Sequence, residues 1–141
     1  MAGMTGTYEH TLDSKGRVFI PSRLRPELGD IFYLTISVDK CLTAYSQASW
    51  DRFYEKVLAM PKRQQLRMRP LFANACRCEL DGQGRVLLPQ KLRERIGLDK
   101  DLTIVGNGEC AEFWATDEWN RVTEEESSEE NLASLYEEID F

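Results

Sequence analysis

Short apolar segments alternate with polar turns along this chain, and one such pattern occurs twice. In LDSKGRVFIP, residues 12–21, a Leu-Asp pair precedes a polar turn, Gly, Arg, three apolar residues and Pro. LDGQGRVLLP, residues 80–89, repeats the pattern 68 positions later. The match runs on from Leu34-Thr35-Ile36 to Leu102-Thr103-Ile104 and, after one inserted residue, from Trp50 to Trp119. The chain therefore contains two repeats of a unit of about fifty residues.

Each repeat predicts the same order of elements: strand, turn, strand, short helix and two further strands. The Asp-x-x-Gly segment is typical of a turn, because Gly accepts a positive φ and the Asp side chain accepts backbone hydrogen bonds. The Pro that follows favours the start of a short helix, which Pro26 keeps short or irregular in the first repeat. The first, third and fourth strands are predicted at 8–12, 31–38 and 41–45, and again at 76–80, 101–106 and 110–114.

The strands of one repeat offer too little apolar surface to fold alone. Two repeats that interleave their strands can close one barrel within a single chain. The predicted fold class is therefore α+β, a pseudo-two-fold β-barrel of two tandem β–turn–β–helix–β–β units with connecting and C-terminal helices. The predicted segments are a first repeat at 4–50, a helical linker at 51–74, a second repeat at 75–122 and an acidic helical tail at 123–141.

The linker and the tail both show helical spacing of apolar residues. In the linker the spacing involves Trp50, Phe53, Tyr54, Val57 and Leu58, and it predicts a stripe that packs in the core or an interface. The basic segment 62–69 is interpreted as a solvated helix face, with an auxiliary phosphate contact as the alternative. The tail is predicted to be a flexible acidic hinge followed by an amphipathic helix that docks on its own body or on a neighbouring subunit. That helix carries Leu132, Leu135, Tyr136 and Ile139.

The net charge of −6 is distributed unevenly along the chain. Residues 123–141 hold eight acidic residues and no basic ones, so residues 1–122 carry a net charge of +2 and residues 1–70 one of +4. The basic body keeps nucleic acid among the expected partners. No apolar run is long enough for a membrane span, and the N-terminal sequence lacks the pattern of a secretory signal, so a cytoplasmic location is expected.

The residues that usually perform catalysis or bind metals are scarce. His10 is the only histidine, and the four cysteines (Cys41, Cys76, Cys78 and Cys110) do not form a C-x-x-C pair. We therefore predict no metal site and no cofactor, and we interpret the cysteines as small buried residues. An enzyme is disfavoured because a histidine-dependent nucleophile would have to rely on His10 alone, in a predicted strand near the N-terminus.

The Asp-x-x-x-Arg pattern in each turn has two interpretations. In the structural one, Asp13 and Arg17 brace the turn, although an exposed ion pair contributes less than about 1 kcal/mol. In the functional one, the turn presents Lys15 and Arg17 to DNA and Asp13 orients the arginine. Arginine reads guanine through the O6 and N7 atoms in the major groove, and the nearby Arg23 and Arg25 suit phosphate oxygens. The pattern is short, and by itself it leaves both interpretations open.

A family resemblance favours the DNA-binding interpretation. LDSKGRVFIPSRLRPEL and LDGQGRVLLPQKLRERIGL, with TGTYEHTLD at the front and GECAEFWATDEW behind, closely resemble the MraZ family across residues 4–122. These are bacterial regulators of the AbrB-like, swapped-hairpin class. The resemblance implies two AbrB-like half-barrels fused in one chain and assembled into a ring of subunits. It also implies a repressor that binds G-rich direct repeats in the promoter of its own operon, the division and cell-wall gene cluster.

The same resemblance assigns site residues by position. The first motif supplies Asp13, Lys15 and Arg17, and the second supplies Asp81 and Arg85. Gln83 stands where the first motif has Lys15, so the first turn is the stronger candidate for DNA contact. With Arg23 and Arg25 these residues form the predicted site, which contains no catalytic residue. The expected partners are double-stranded promoter DNA and further copies of the chain, without a membrane, and the expected location is nucleoid-associated.

Three alternatives remain open at this point. An antitoxin-like module that binds another protein would suit the acidic tail but would not explain the second repeat. An architectural nucleoid protein differs from a regulator only in its ratio of specific to nonspecific DNA affinity. An enzyme is the third alternative, and turnover that requires Asp13 or Asp81 would support it.

Overall fold

The computed structural model describes residues 3–140, and the outermost residues 1, 2 and 141, including the last residue of the predicted tail, lie outside it. The first repeat and the helices after it comprise β1 (Thr7–Thr11), β2 (Arg17–Phe19), α1 (Arg25–Leu28), β3 (Ile31–Ile36), β4 (Cys41–Ser46), α2 (Gln47–Leu58), α3 (Lys62–Arg67) and α4 (Arg69–Ala73). The second repeat and the tail comprise β5 (Cys76–Glu79), β6 (Arg85–Leu87), α5 (Gln90–Arg95), β7 (Asp101–Asn107), β8 (Cys110–Ala115), α6 (Thr116–Glu126) and α7 (Glu129–Ile139).

The two repeats exchange strands. The six-stranded antiparallel sheet has the order β1-β7-β8-β4-β3-β5, so the first strand of each repeat pairs with the third strand of the other. The fourth strands, β4 and β8, pair with each other at the centre. The second strands, β2 and β6, form a separate two-stranded ribbon. This interleaving confirms the predicted α+β fold with a pseudo-two-fold, barrel-like arrangement of two units.

One hydrophobic core serves both repeats, and equivalent positions of the two contribute to it. The side chains at these positions are at most 3% exposed. The equivalent pairs are Val18 and Val86, Ile20 and Leu88, Leu24 and Leu92, and Leu28 and Ile96. A smaller buried cluster of Cys41, Val105 and Trp114 also joins the two repeats. Both clusters draw on strands of both repeats, as expected for units too small to fold alone.

The aromatic stripe of the linker packs on the sheet, as predicted for a core or interface face. Trp50 is buried and stacks on Tyr33 with ring centroids 4.8 Å apart. Phe53 packs against Trp50 and against Phe72 of α4. Tyr54 at the end of the stripe is 47% exposed, so the stripe is covered only in part.

The helices begin at positions that local chemistry explains. In the first repeat, regular helix begins only at Arg25, because Pro26 has no N–H to donate to an earlier carbonyl. The α5 helix of the second repeat lacks such a proline and has six residues. Helix α2 begins at Gln47, ahead of the predicted linker, because the Ser46 hydroxyl accepts the Ser49 N–H at 3.2 Å.

The predicted acidic hinge is wrong in its extent. Residues 123–126 form the last turn of α6, and only Ser127 and Ser128 separate α6 from α7. The amphipathic helix is present as predicted. The four-part division of the chain stays a prediction. In residues 3–140, no helix combines the length and the apolar character needed to cross a bilayer.

Candidate nucleic-acid interface

The first turn is built around one carboxylate. Asp13 Oδ1 accepts the backbone N–H groups of Lys15 and Arg17, both at 2.9 Å. Asp13 Oδ2 accepts the Arg17 Nε–H at 2.8 Å. The turn closes through Gly16, whose φ of +81° falls in the region that favours glycine. The Asp13 carboxylate therefore braces the turn and also holds the Arg17 guanidinium in place.

The second turn reproduces this arrangement almost atom for atom. Asp81 Oδ1 accepts the N–H groups of Gln83 and Arg85 at 2.9 Å, and Asp81 Oδ2 accepts the Arg85 Nε–H at 2.9 Å. Gly84 has a φ of +82°. The sequence repeat thus encodes a repeated hydrogen-bond network as well as a repeated backbone.

Strand pairing brings the two turns to one surface. In the β2–β6 ribbon, Val18 lies opposite Val86. The ribbon continues into hydrogen bonds from the Ile20 N–H to the Gly84 carbonyl, at 3.0 Å, and from the Leu88 N–H to the Gly16 carbonyl, at 2.9 Å. Arg85 Nη1 lies 3.7 Å from Asp13 Oδ2, which connects the two networks. We call residues 13–17 and 81–85 together the paired turns.

The ribbon has a buried face and an exposed face. Val18 and Val86 point into the core, whereas Phe19 and Leu87 are 47% and 57% exposed. The Arg85 guanidinium lies over the Phe19 ring, 5.8 Å from its centroid. Sequence reasoning did not include Phe19 and Leu87 in the site. The period of two in a strand could have found them, since each follows a buried valine.

The predicted arginines divide into two groups. Arg25 is half-buried and donates its Nε–H to the Ile20 carbonyl at 3.1 Å and an Nη2–H to the Gly84 carbonyl at 3.5 Å. Arg93, its equivalent in the second repeat, donates to the Leu88 carbonyl at 3.0 Å and lies against Gly16. Each of these arginines therefore supports the turn of the other repeat. The alignment of Arg25 with Arg93 was the signal for a shared structural role.

The other predicted cations face solvent. Lys15 and Arg23 are exposed, and their side chains make no hydrogen bond or ion pair with any residue from 3 to 140. Arg17 is tied to Asp13 through Nε, and its terminal nitrogens make no such contact within the same range. Arg85 is more enclosed, with 19% of its side chain exposed against 30% for Arg17. The first turn thus presents more available donors than the second.

Hydrogen bonding stabilises both aspartates as carboxylates. The backbone N–H of Arg17, with smaller contributions from its side chain and from the Lys15 N–H, holds the pKa of Asp13 at about 2 although partial desolvation opposes the shift. The pKa of Asp81 is lowered in the same way, chiefly by the backbone N–H of Arg85. Both groups are therefore charged at neutral pH, as orienting groups for arginine must be.

We expect the stability of the chain to depend on pH through these carboxylates. The pKa of Asp13 is lower in the folded chain than its ordinary 3.8. The ionised carboxylate therefore contributes fully to the stability of the fold above about pH 4, and this contribution is lost as the pH falls towards about 2. Thermal unfolding of the parent should shift to lower temperature over that window. The Asp13→Asn variant should unfold at lower temperature near pH 7 and show a shallower acid dependence. Equal slopes for the two proteins would contradict the assigned contacts.

The possible metal ligands and the thiols of residues 3–140 lie apart from any shared metal centre. No group of three His, Cys, Asp or Glu residues within 3–140 is placed to hold a metal ion. All four cysteines are free thiols. Burial raises the pKa of Cys41 to about 12 and raises that of Cys78 as well, so neither is a ready nucleophile.

Strands exchanged between two repeats, with a carboxylate-centred turn from each repeat on one ribbon, define a two-repeat α+β protein of interleaved hairpins. A family model described as "MraZ protein, putative antitoxin-like" matches residues 4–69 and 71–139, and the chain belongs to the MraZ family. A relative named transcriptional regulator MraZ from Caldicellulosiruptor bescii is 41% identical over 140 residues, with 96% of this chain and 98% of the relative covered. A relative of the same name from Carboxydothermus hydrogenoformans is 49% identical over 118 residues, with 82% of each chain covered.

Proposed function

We propose that this chain is a sequence-specific DNA-binding transcriptional regulator that uses the paired turns to contact DNA. Its relatives bear the name of transcriptional regulators, and no enzyme family is indicated. The proposal rests on the hydrogen bonding of the Arg17 guanidinium. Its Nε is held by Asp13, while its terminal nitrogens make no hydrogen bond or ion pair within residues 3–140. A guanidinium held in this way is oriented for a bidentate contact before DNA arrives.

The ribbon suits the major groove of B-DNA. That groove admits a two-stranded β-ribbon, and guanine presents its O6 and N7 acceptors there. We assign the reading of guanine to Arg17, and contacts with phosphate oxygens to the exposed Lys15 and Arg23. Asp13 and Asp81 act on DNA only through the arginines that they orient.

The second turn has a supporting role in this proposal. Arg85 is enclosed by Asp81, Asp13 and the Phe19 ring, and Gln83 supplies no charge where the first turn has Lys15. The contacts of Arg25 with backbone carbonyls favour a brace for this turn over a phosphate contact. We therefore expect the first turn to contribute most of the sequence preference.

Assembly would raise the affinity of a single turn. We propose that several copies form a ring that engages G-rich DNA direct repeats together, so that effective concentration strengthens each later contact. Direct rather than inverted repeats suit head-to-tail contacts between copies. Bound at its own promoter, ahead of the division and cell-wall genes, such a ring would repress transcription by excluding polymerase. This function places the protein in the cytoplasm, on the nucleoid.

Fluorescence anisotropy tests the proposal. Full-length protein is titrated into a labelled duplex with G-rich direct repeats and into a shuffled duplex of the same composition, over a salt series. We expect at least tenfold tighter binding to the repeat duplex and a steep loss of affinity with salt. Equal binding to both duplexes would indicate an architectural protein. The absence of binding to either would indicate a module that binds another protein.

A further inference from the structure

Helix α7 carries an apolar stripe that the described chain leaves open. Leu132, Leu135 and Ile139 recur at helical spacing and are 41%, 43% and 60% exposed. The rest of α7 is acidic, with four glutamates and no basic residue between 129 and 139. A helix of this kind gains most of its stability by burying its apolar face against a partner.

A second open apolar surface lies on the helices that follow the first repeat. Tyr54, Leu58 and Leu66 are 47%, 55% and 50% exposed. Together with Val57 and Phe72 they line a groove between α2, α3 and α4, and Lys62 lies on its rim. We call this surface the linker groove. Isolated exposed leucines are ordinary, but a continuous groove of them indicates a binding surface.

The two surfaces are complementary in charge. Residues 47–73, which contain the linker groove, hold six basic and two acidic residues, a net charge of +4. Residues 129–139 carry −4. An acidic helix with an apolar stripe therefore matches an apolar groove among basic residues in both respects.

The two surfaces follow different repeats, and no residue of α7 (129–139) lines the linker groove of its own chain. Helix α6 packs on β7 and β8, whereas α2 packs on β3 and β4. The corner between α6 and α7 is fixed by hydrogen bonds, since the Ser128 hydroxyl accepts the Asn131 N–H at 3.2 Å and the Asn131 side chain donates to the Glu126 carbonyl at 2.6 Å. In this arrangement Tyr54, Leu58 and Leu66 of the linker groove stay exposed.

We propose that α7 of one copy of this chain binds in the linker groove of a second copy. The contact joins the helix after the second repeat of one copy to the helices after the first repeat of the next, so it is heterologous. An open row of copies therefore has one unused linker groove at one end and one unused α7 stripe at the other. Closure of that chain gives the ring on which the proposed function rests. The proposal thus assigns the surfaces through which the ring would assemble.

Sedimentation velocity on full-length proteins without DNA tests this assignment. One variant, Leu132→Ser/Leu135→Ser, disables the α7 stripe, and another, Leu58→Ser/Leu66→Ser, disables the linker groove. Val38→Ser is the matched control, because Val38 is fully exposed in the β3–β4 turn. Lys62→Glu is a second groove variant that leaves every apolar residue in place. Circular dichroism confirms that each variant is folded.

The expected assembly differs between the separate variants and their mixture. The α7 variant and both groove variants should associate more weakly than the parent and the control, and for Leu132→Ser/Leu135→Ser and Leu58→Ser/Leu66→Ser the loss should be at least tenfold. Mixed together, these two double variants should form a one-to-one dimer and nothing larger, because only one intact stripe and one intact groove remain to pair. Parent-like assembly of both variants, or a mixture that stays monomeric, would overturn the proposal. Since no DNA is present, this outcome is independent of whether the paired turns bind DNA.

Discussion

Replacement of Arg17 by alanine should remove most of the preference for G-rich direct repeats. A bidentate contact between arginine and guanine contributes about 1–3 kcal/mol of discrimination, so a single engaged turn should lose about tenfold to a hundredfold in relative affinity. The loss should be larger in an assembly, where several turns engage at once. Anisotropy titrations on repeat and shuffled duplexes measure this preference directly.

Two comparisons control the Arg17→Ala experiment. Arg121→Ala removes the same charge from an exposed ion pair on α6, where Arg121 Nη2 contacts Glu118 Oε1 at 2.6 Å, and should leave the preference intact. Arg85→Ala should have a smaller effect than Arg17→Ala, because Arg85 is the more enclosed of the two. An equal loss from Arg121→Ala and Arg17→Ala would show that net charge alone governs binding.

Replacement of Gly84 by alanine should destabilise the fold more than the same change at Gly16. Both residues have positive φ, which costs a non-glycine residue about 1–2 kcal/mol. At Gly84 an added Cβ would also collide with the Arg25 guanidinium and displace it from the Ile20 carbonyl, whereas at Gly16 the Cβ would lie 3.1 Å from Arg93 Cζ. Loss of the Arg25 hydrogen bonds adds about 1 kcal/mol. We therefore expect the free energy of unfolding to decrease by about 2–3 kcal/mol in Gly84→Ala and by about 1–2 kcal/mol in Gly16→Ala.

Urea denaturation of the single variants and of the Arg25→Ala/Gly84→Ala double variant separates the two causes. Without the Arg25 guanidinium, Gly84→Ala should lower the free energy of unfolding only by the amount due to its positive φ. Its effect should then approach that of Gly16→Ala. If the effects of Arg25→Ala and Gly84→Ala simply add, Arg25 does not support the second turn.

The fold could be predicted to a large extent because the sequence repeat indicates two equivalent structural units. Two copies of Asp-x-x-Gly-Arg-Val at one spacing indicate two equivalent turns, and the short strands indicate that neither repeat folds alone. The alignment does not show which strand pairs with which. That choice depends on contacts far apart in the chain, such as Phe32 opposite Cys78, which local periodicity does not contain.

The site was predicted in part, and the residues that were missed have a common cause. Asp13, Arg17, Asp81 and Arg85 were found through the repeat, and the structure places all four on one surface. The contact of Arg25 with Gly84 of the other repeat depends on strand exchange, so the sequence around Arg25 suggested only a solvent-facing cation. The extent of α6 was missed because acidic residues at a helix end suggest a hinge, although they do not prevent the last turn from forming.

Removal of the Arg17 guanidinium and of guanine N7, separately and together, shows whether these two groups contact each other. The claim is that Arg17 reads guanine through N7, so the parent and Arg17→Ala are each titrated against G-rich repeats that contain guanine or 7-deazaguanine, which lacks that acceptor. We expect the base change to weaken binding by the parent about tenfold or more and to leave binding by Arg17→Ala unaffected. Equal loss in both proteins would contradict the claim, because a residue other than Arg17 would then contact N7.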